Sequence, residues 1–316
     1  MDKSCFDNVL YIIGNGFDLH HNIHSSYKYF EAWLVNKNPA LYNKLSLICR
    51  HDSLWWNFEE ALAYVDRDYF LNAGELLLPK EWSEDDSVAE LFYASDIVRS
   101  EAEGLWDEIV KWFRKWIVTV SWQRESNSRK LMIDAYARFV TFNYTPFLES
   151  RYGIDSQNIL YIHGRQGSCK CPPIIGHGDT DSFPEWFGKK HNHRRRYYKG
   201  GTSILPEVEM MTESAEYYFQ LSEKPVGRII SKNKAFIDDL YDVRHIFVLG
   251  HSMNRVDIPY FLSIVDANDA PNDISWHVSY YDEKEKRRLL DVFSSLIPTT
   301  HMNLNMFRLV DVMITR

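Results

Sequence analysis

Short apolar runs rich in β-branched and aromatic side chains recur along the chain, and most of them end on a glycine or a small polar residue. Val9-Leu10-Tyr11-Ile12-Ile13 leads into Gly14-Asn15-Gly16-Phe17-Asp18. Residues 138–142 end in Asn143-Tyr144-Thr145, and residues 158–162 end in His163-Gly164. Residues 173–175 end in Gly176-His177-Gly178-Asp179, and residues 245–249 end in Gly250-His251-Ser252. Residues 275–281 precede a charged helical stretch at 283–293, and a last apolar run occupies 307–314. Runs of this length, bounded by turn residues, predict buried strands.

Between about 27 and 138 the period becomes helical. Leu105, Ile109, Trp112 and Trp116 form one stripe, and Trp106, Val110, Phe113 and Ile117 form another beside it. A base-stacking surface would use such aromatics, but a stripe of this width first predicts core packing. Residues 81–108 carry ten acidic side chains and one cation, Arg99, the pattern of a solvated face.

Strands separated by helix-length segments predict an α/β protein with a Rossmann-like, mostly parallel sheet. The expected core is 1–26 plus 135–316, with a helical insertion at 27–134 after the first β-α unit. That insertion would lean over the sheet edge as a lid or as a surface for a homo-oligomer.

Composition narrows the class. The chain has 316 residues, and its 45% hydrophobic content with charges of both signs excludes disorder as the main state. A net charge of −8 argues against a general nucleic-acid coat, which needs a basic surface. No run approaches the roughly 20 apolar residues of a membrane span. The polar start and the four cysteines, Cys5, Cys49, Cys169 and Cys171, fit a cytoplasmic protein with free thiols. Cys169-x-Cys171 and His191-x-His193 have ligand chemistry but too few companions, so no metal is expected.

Candidate chemistry lies at the strand ends, which line the ligand crevice of an open parallel sheet. Gly14-x-Gly16 fits a phosphate loop with Asn15 between its glycines, and equally a tight strand-to-helix turn, since Leu19 stands where the dinucleotide fingerprint has its third glycine. Asn143 offers a donor and an acceptor to a sugar hydroxyl or water, or forms a local Asx turn. His163 suits a general base or a structural histidine. Asp257 either reaches back to the crevice or caps the helix that begins near Pro259. The basic run 189–199, with six cations and no acid, reads as a surface loop or as a contact for nucleic acid.

The segments IIGNGFDLHHNIHSSY (12–27), WWNFEEALA (55–63), FVTFNYTPFLE (139–149), YIHG (161–164), IIGHGD (174–179) and VLGHSMNRVDIPYF (248–261) together resemble the AbiH-type abortive-infection family of phage-defence proteins. Their order is also similar, more distantly, to sirtuin-like NAD hydrolases. That resemblance implies a sirtuin-like core with Gly14, Asn15 and Gly16 on the NAD phosphates. It implies Asn143 and His163 as catalytic groups, with Glu149 following, and Gly250, His251 and Ser252 on the adenosine side. Asp18 stands where that pattern has a serine, and the zinc-binding cysteine pairs are missing.

The resemblance implies an antiphage effector that binds NAD and hydrolyses its nicotinamide–ribose bond. Asp18 joins Asn143 and His163 as a catalytic candidate, and Asp257 joins the NAD-binding set. Its trigger would be a phage component or a second defence protein. Two other classes stay open: a nucleotide-sensing or partner-binding module without turnover, and a nuclease using residues 189–199.

Overall fold

The computed structural model describes residues 8–77, 88–121, 130–178, 206–296 and 303–312. It divides into two compact units. One comprises Met1–Tyr29, Arg114–Ile174 and Pro225–Arg316, and the other Phe30–Phe113 and Ile175–Lys224.

The first unit holds a six-stranded sheet of β1 (Val9–Ile13), β2 (Arg138–Thr141), β3 (Ile159–Tyr161), β4 (His245–Leu249), β5 (Ser275–Tyr280) and β6 (Asn303–Arg308). All neighbouring strands are parallel, in the order β3-β2-β1-β4-β5-β6. This is the doubly wound, Rossmann-like order, which reverses between β1 and β4. All five residues of β1 are buried, as the continuous apolar run requires of a central strand covered on both faces.

On one face Leu10, Ile12, Val140, Ile246, Val248, Trp276 and Val278 join a core with Ile229, Ile237, Phe261, Ile264, Leu289 and Phe293 from the helical segments that follow β3, β4 and β5. Fully burying each such side chain contributes about 1.5–3 kcal/mol. On the other face the register aligns Phe139, Tyr11 and Phe247. Their rings stack at 5.0 and 5.3 Å, and His277 continues the row 4.3 Å from Phe247.

Two strand expectations are corrected. Residues 173–175 form no strand, and just beyond them His177 makes an isolated bridge with Glu223. Two prolines, Pro172 and Pro173, lack the N–H groups a ladder needs. The last strand is Asn303–Arg308, and Leu309–Val312 coils as a 3₁₀ turn. An edge strand with exposed Asn303 and Asn305 does not present the unbroken apolar run that was read farther along.

The second unit is helical and built on aromatic contacts. Phe30 packs edge-on against Phe58 and Phe113 at 5.4 and 5.7 Å, and Trp55 stacks on Phe58 at 5.4 Å. In this unit the long helix that begins at Val88 buries Leu105, Ile109 and Phe113, while Trp106, Val110 and Trp112 of the expected stripes are half-buried. In the same unit His177 Nε2 meets Ser222 Oγ at 3.1 Å, and buried Lys224 donates to Glu59 at 2.7 Å.

Strand β1 is locked to β4 through its terminal glycines. The Gly14 N–H donates to the Leu249 carbonyl at 3.0 Å, and the Gly16 N–H to the Gly250 carbonyl at 2.7 Å. A Cβ on Gly250, at φ +64°, would stand 2.1 Å from the Phe17 nitrogen, and one on Gly14 would stand 2.4 Å from His251 Cα. Gly250→Ala is therefore expected to lower unfolding free energy by about 2–4 kcal/mol, combining left-handed strain with overpacking. Gly104→Ala, where an added Cβ meets nothing, should raise it by about 0.5–1 kcal/mol. Urea denaturation of the two variants checks both signs.

Candidate functional site

The crevice beyond the carboxyl ends of β1 and β4 lies at the point where strand order reverses, the position at which open α/β sheets take ligands. Two buried polar clusters stand there, both within the first unit.

The first cluster centres on Asp18, in the short helix Asn15–His20 that follows β1. Asp18 is buried and accepts from Asn143 Nδ2 at 2.8 Å and Thr145 Oγ1 at 2.7 Å. Burial pushes its carboxyl up to about 7, although hydrogen bonds from Thr145, Asn143 and Ser25 pull the other way. Ser25 Oγ also donates to Asn15 Oδ1 at 2.5 Å.

Asn143 follows β2 and is 5% exposed. Its Nδ2 donates a second bond to the Gly14 carbonyl at 3.0 Å. Both neighbours of Nδ2 are acceptors, which fixes the orientation of the amide. Asn143 Oδ1 is then left buried with no hydrogen-bond partner. The side chain makes no local Asx turn; it ties the end of β2 to the loop after β1.

The second cluster joins His163, His251 and Asp257. His163 Nε2 lies 3.5 Å from Asp257 Oδ1, and His251 Nε2 lies 3.7 Å from Oδ2 of the same carboxylate. All three are at least 93% buried. The Phe142 ring stands 5.2 Å from that of His163 and 4.2 Å from that of His251. Asp257 precedes the helix Ile258–Ala267 and makes no side-chain capping bond to it. Asp257 thus lies between the two histidines and does not cap the helix.

The chain around His163 is held by close contact. Gly164, at φ +80°, lies where a Cβ would stand 2.2 Å from the Pro172 carbonyl oxygen. The Ile174 N–H donates to the His163 carbonyl at 2.8 Å, and Tyr144 Oη donates to the Ile174 carbonyl at 2.9 Å.

Other expected residues fall differently. The N–H groups of Gly14, Gly16 and Phe17 all donate to backbone carbonyls. The Gly250 N–H donates to Ser279 Oγ at 2.7 Å. Ser252 is exposed; its carbonyl accepts from Arg288, and its side chain joins neither cluster. Glu149 accepts from Tyr161 Oη and from Arg165 Nε. His177 belongs to the second unit and does not sit at a strand end. Asp179 and the basic run 189–199, with His191 and His193, lie outside the described residues.

Sequence reasoning passed over Thr145, Ser25 and His21. Thr145 stands two positions after Asn143, the spacing that returns a side chain to the same face of an extended segment. His21 pins the loop, its Nδ1 2.8 Å from the Phe17 carbonyl and its Nε2 2.8 Å from Tyr152 Oη.

Among the described residues no group of three or more His, Cys, Asp or Glu could hold a metal ion. No described helix is long and apolar enough to cross a membrane.

A parallel sheet reversing at β1 and β4, with buried polar groups at their ends, defines a Rossmann-like α/β protein. A family model described as "Bacteriophage abortive infection AbiH" matches residues 10–280, so the chain belongs to the AbiH family. That membership supports a phage abortive-infection role. No curated protein and no solved structure matches the chain significantly.

Asp18 yields a test of the first cluster. Its carboxyl holds a proton up to about pH 7 in the folded chain, whereas the unfolded chain releases it near pH 4. The resulting stabilisation is complete below about pH 4 and is lost as pH rises to about 7. Wild-type stability relative to Asp18→Asn should therefore fall through that window and level off above it. Urea unfolding at half-unit pH steps measures the difference, and a flat difference would contradict the assignment.

Proposed function

We propose that this AbiH-family chain is an abortive-infection effector that binds NAD at the β1/β4 crevice and hydrolyses its nicotinamide–ribose bond. The observation that carries the reading is Asn143 Oδ1, a buried acceptor without a donor in a crevice of nucleotide-binding topology. Because Nδ2 is committed to Asp18 and Gly14, the amide can offer a ligand only an acceptor. A ribose hydroxyl or a water supplies the missing donor, whereas a phosphate oxygen does not.

In the proposed reaction the C–N bond to nicotinamide breaks and the ring leaves neutral with the bonding electron pair. Water forms the new bond to the ribose C1′, and its proton is released. Asn143 orients the ribose or the water, and His163, beside Asp257, receives the proton. Asp18 holds Asn143 in place. Gly14, Asn15, Gly16 and Gly250 form the floor, which has no room there for larger residues at Gly14, Gly16 or Gly250.

The test is chromatography of NAD, ATP and GTP after incubation with purified protein, with and without lysate from phage-infected cells. Nicotinamide and ADP-ribose are expected with wild type. Asn143→Ala and His163→Ala should each lower the rate by about a hundredfold or more. NAD that binds by calorimetry yet survives intact would overturn hydrolysis in favour of nucleotide sensing. Absence of NAD binding would discard NAD as the ligand.

A further inference from the structure

His251 is held from both sides of its ring. Its Nδ1 accepts the Met253 backbone N–H at 2.8 Å, so the proton of the neutral ring sits on Nε2. That nitrogen faces Asp257 Oδ2 at 3.7 Å. Oδ1 of the same carboxylate faces His163 Nε2 at 3.5 Å.

Met253 makes the first contact at a cost. It is buried and has φ +48°, in the left-handed region that residues with side chains rarely occupy. Strain of this kind persists where the surroundings over-determine it, and it is concentrated at functional sites. Here it turns the amide of residue 253 into the ring two positions earlier.

We propose that His251 is a positioning residue, locked as its Nε2–H tautomer, which orients Asp257 so that His163 is the imidazole of the pair that takes up a proton. The proposal deepens the crevice reading above, in which His163 receives the proton released from water. Protonating His251 at Nδ1 would set two N–H donors head to head in a buried site and break the bond from Met253. Protonating His163 forms an N–H bond, and Asp257 balances the new positive charge.

His163 faces Asp257 and the rings of Phe142, Tyr144 and Tyr260. His251 faces Asp257 and the rings of Phe142 and Phe261. Among these contacts of the described residues, the titratable groups besides the histidines are Asp257 and the tyrosines. Asp257 opposes the added charge from between both rings, and Tyr144 Oη is committed to the Ile174 carbonyl.

The test is a nitrogen NMR titration of full-length protein labelled with ¹⁵N-histidine, from pH 5.5 to 8.5. His163→Asn and His251→Asn assign the two rings among the twelve histidines. If either variant fails to fold, contacts from the labelled wild-type rings to Phe142 and Phe261 assign them instead. His251 is expected to keep the pattern of a neutral Nε2–H ring throughout, while His163 shifts from neutral to imidazolium as pH falls. In Asp257→Asn the His163 midpoint should move to lower pH, with the His251 pattern unchanged.

Titration of His251 within the range, or its appearance as the Nδ1–H tautomer, would overturn the proposal. So would a His163 ring that never protonates. Nicotinamide release is measured on the same samples. The expected ring pattern without turnover would sink the hydrolase reading alone, whereas turnover with a titrating His251 would sink the positioning role alone.

Discussion

The tightest constraint in this protein is the backbone contact between Gly14–Gly16 and Gly250 at the reversal of strand order. The Gly16 N–H reaches the Gly250 carbonyl at 2.7 Å, and a side chain on any of these three glycines would collide with backbone. Close approach of this kind leaves the Gly14 carbonyl where Asn143 can reach it, so the end of β2 is fastened to the loop after β1. It also places His251 directly beside Gly14. Both polar clusters therefore inherit their positions from a contact made by groups that have no side chain.

The two carboxylates of the crevice are held in different ways. Asp18 is surrounded by neutral donors, namely an amide and two hydroxyls, and burial keeps its proton affinity high. Asp257 lies between two imidazoles, which can themselves bind protons. A site that separates its acids in this manner can assign one to geometry and the other to proton movement. Asp18 fits the geometric role, because its oxygens engage the amide that fixes Asn143. Asp257, 3.5 Å from His163, would take the other role in the proposed reaction.

Much of this was legible in the chain. Four short apolar runs followed by glycine or polar residues gave β1, β2, β3 and β4 with errors of a residue or so at their ends. The same pattern points to Asp18, Asn143, His163 and His251, which the two clusters bring together, and also to Ser252 and His177, which join neither. What failed has physical causes. Residues 173–175 imitate a strand in composition, but adjacent prolines deprive that stretch of ladder donors. The edge strand β6 carries exposed asparagines and so lacks the signature of a buried one. The role of Gly14 and Gly16 was ambiguous because a phosphate loop and a close backbone contact require the same residue. The close contact with Gly250, more than two hundred positions away, is not visible in the local sequence. Thr145 and Ser25 were missed for a similar reason: a hydroxyl signals nothing until the carboxylate it serves is in view.

The unpartnered oxygen of Asn143 bears on what the crevice is for. A buried acceptor without a donor costs about 1–3 kcal/mol, a large share of the stability of an ordinary domain. The same amide spends its N–H group on two acceptors, Gly14 and Asp18, so its orientation cannot be reversed without setting oxygen against oxygen. In the proposed reading, a ligand hydroxyl or a water at Oδ1 would remove that penalty on binding. The AbiH family supplies the setting of phage defence, while the reaction proposed above rests on this amide and on the imidazole pair of the same unit.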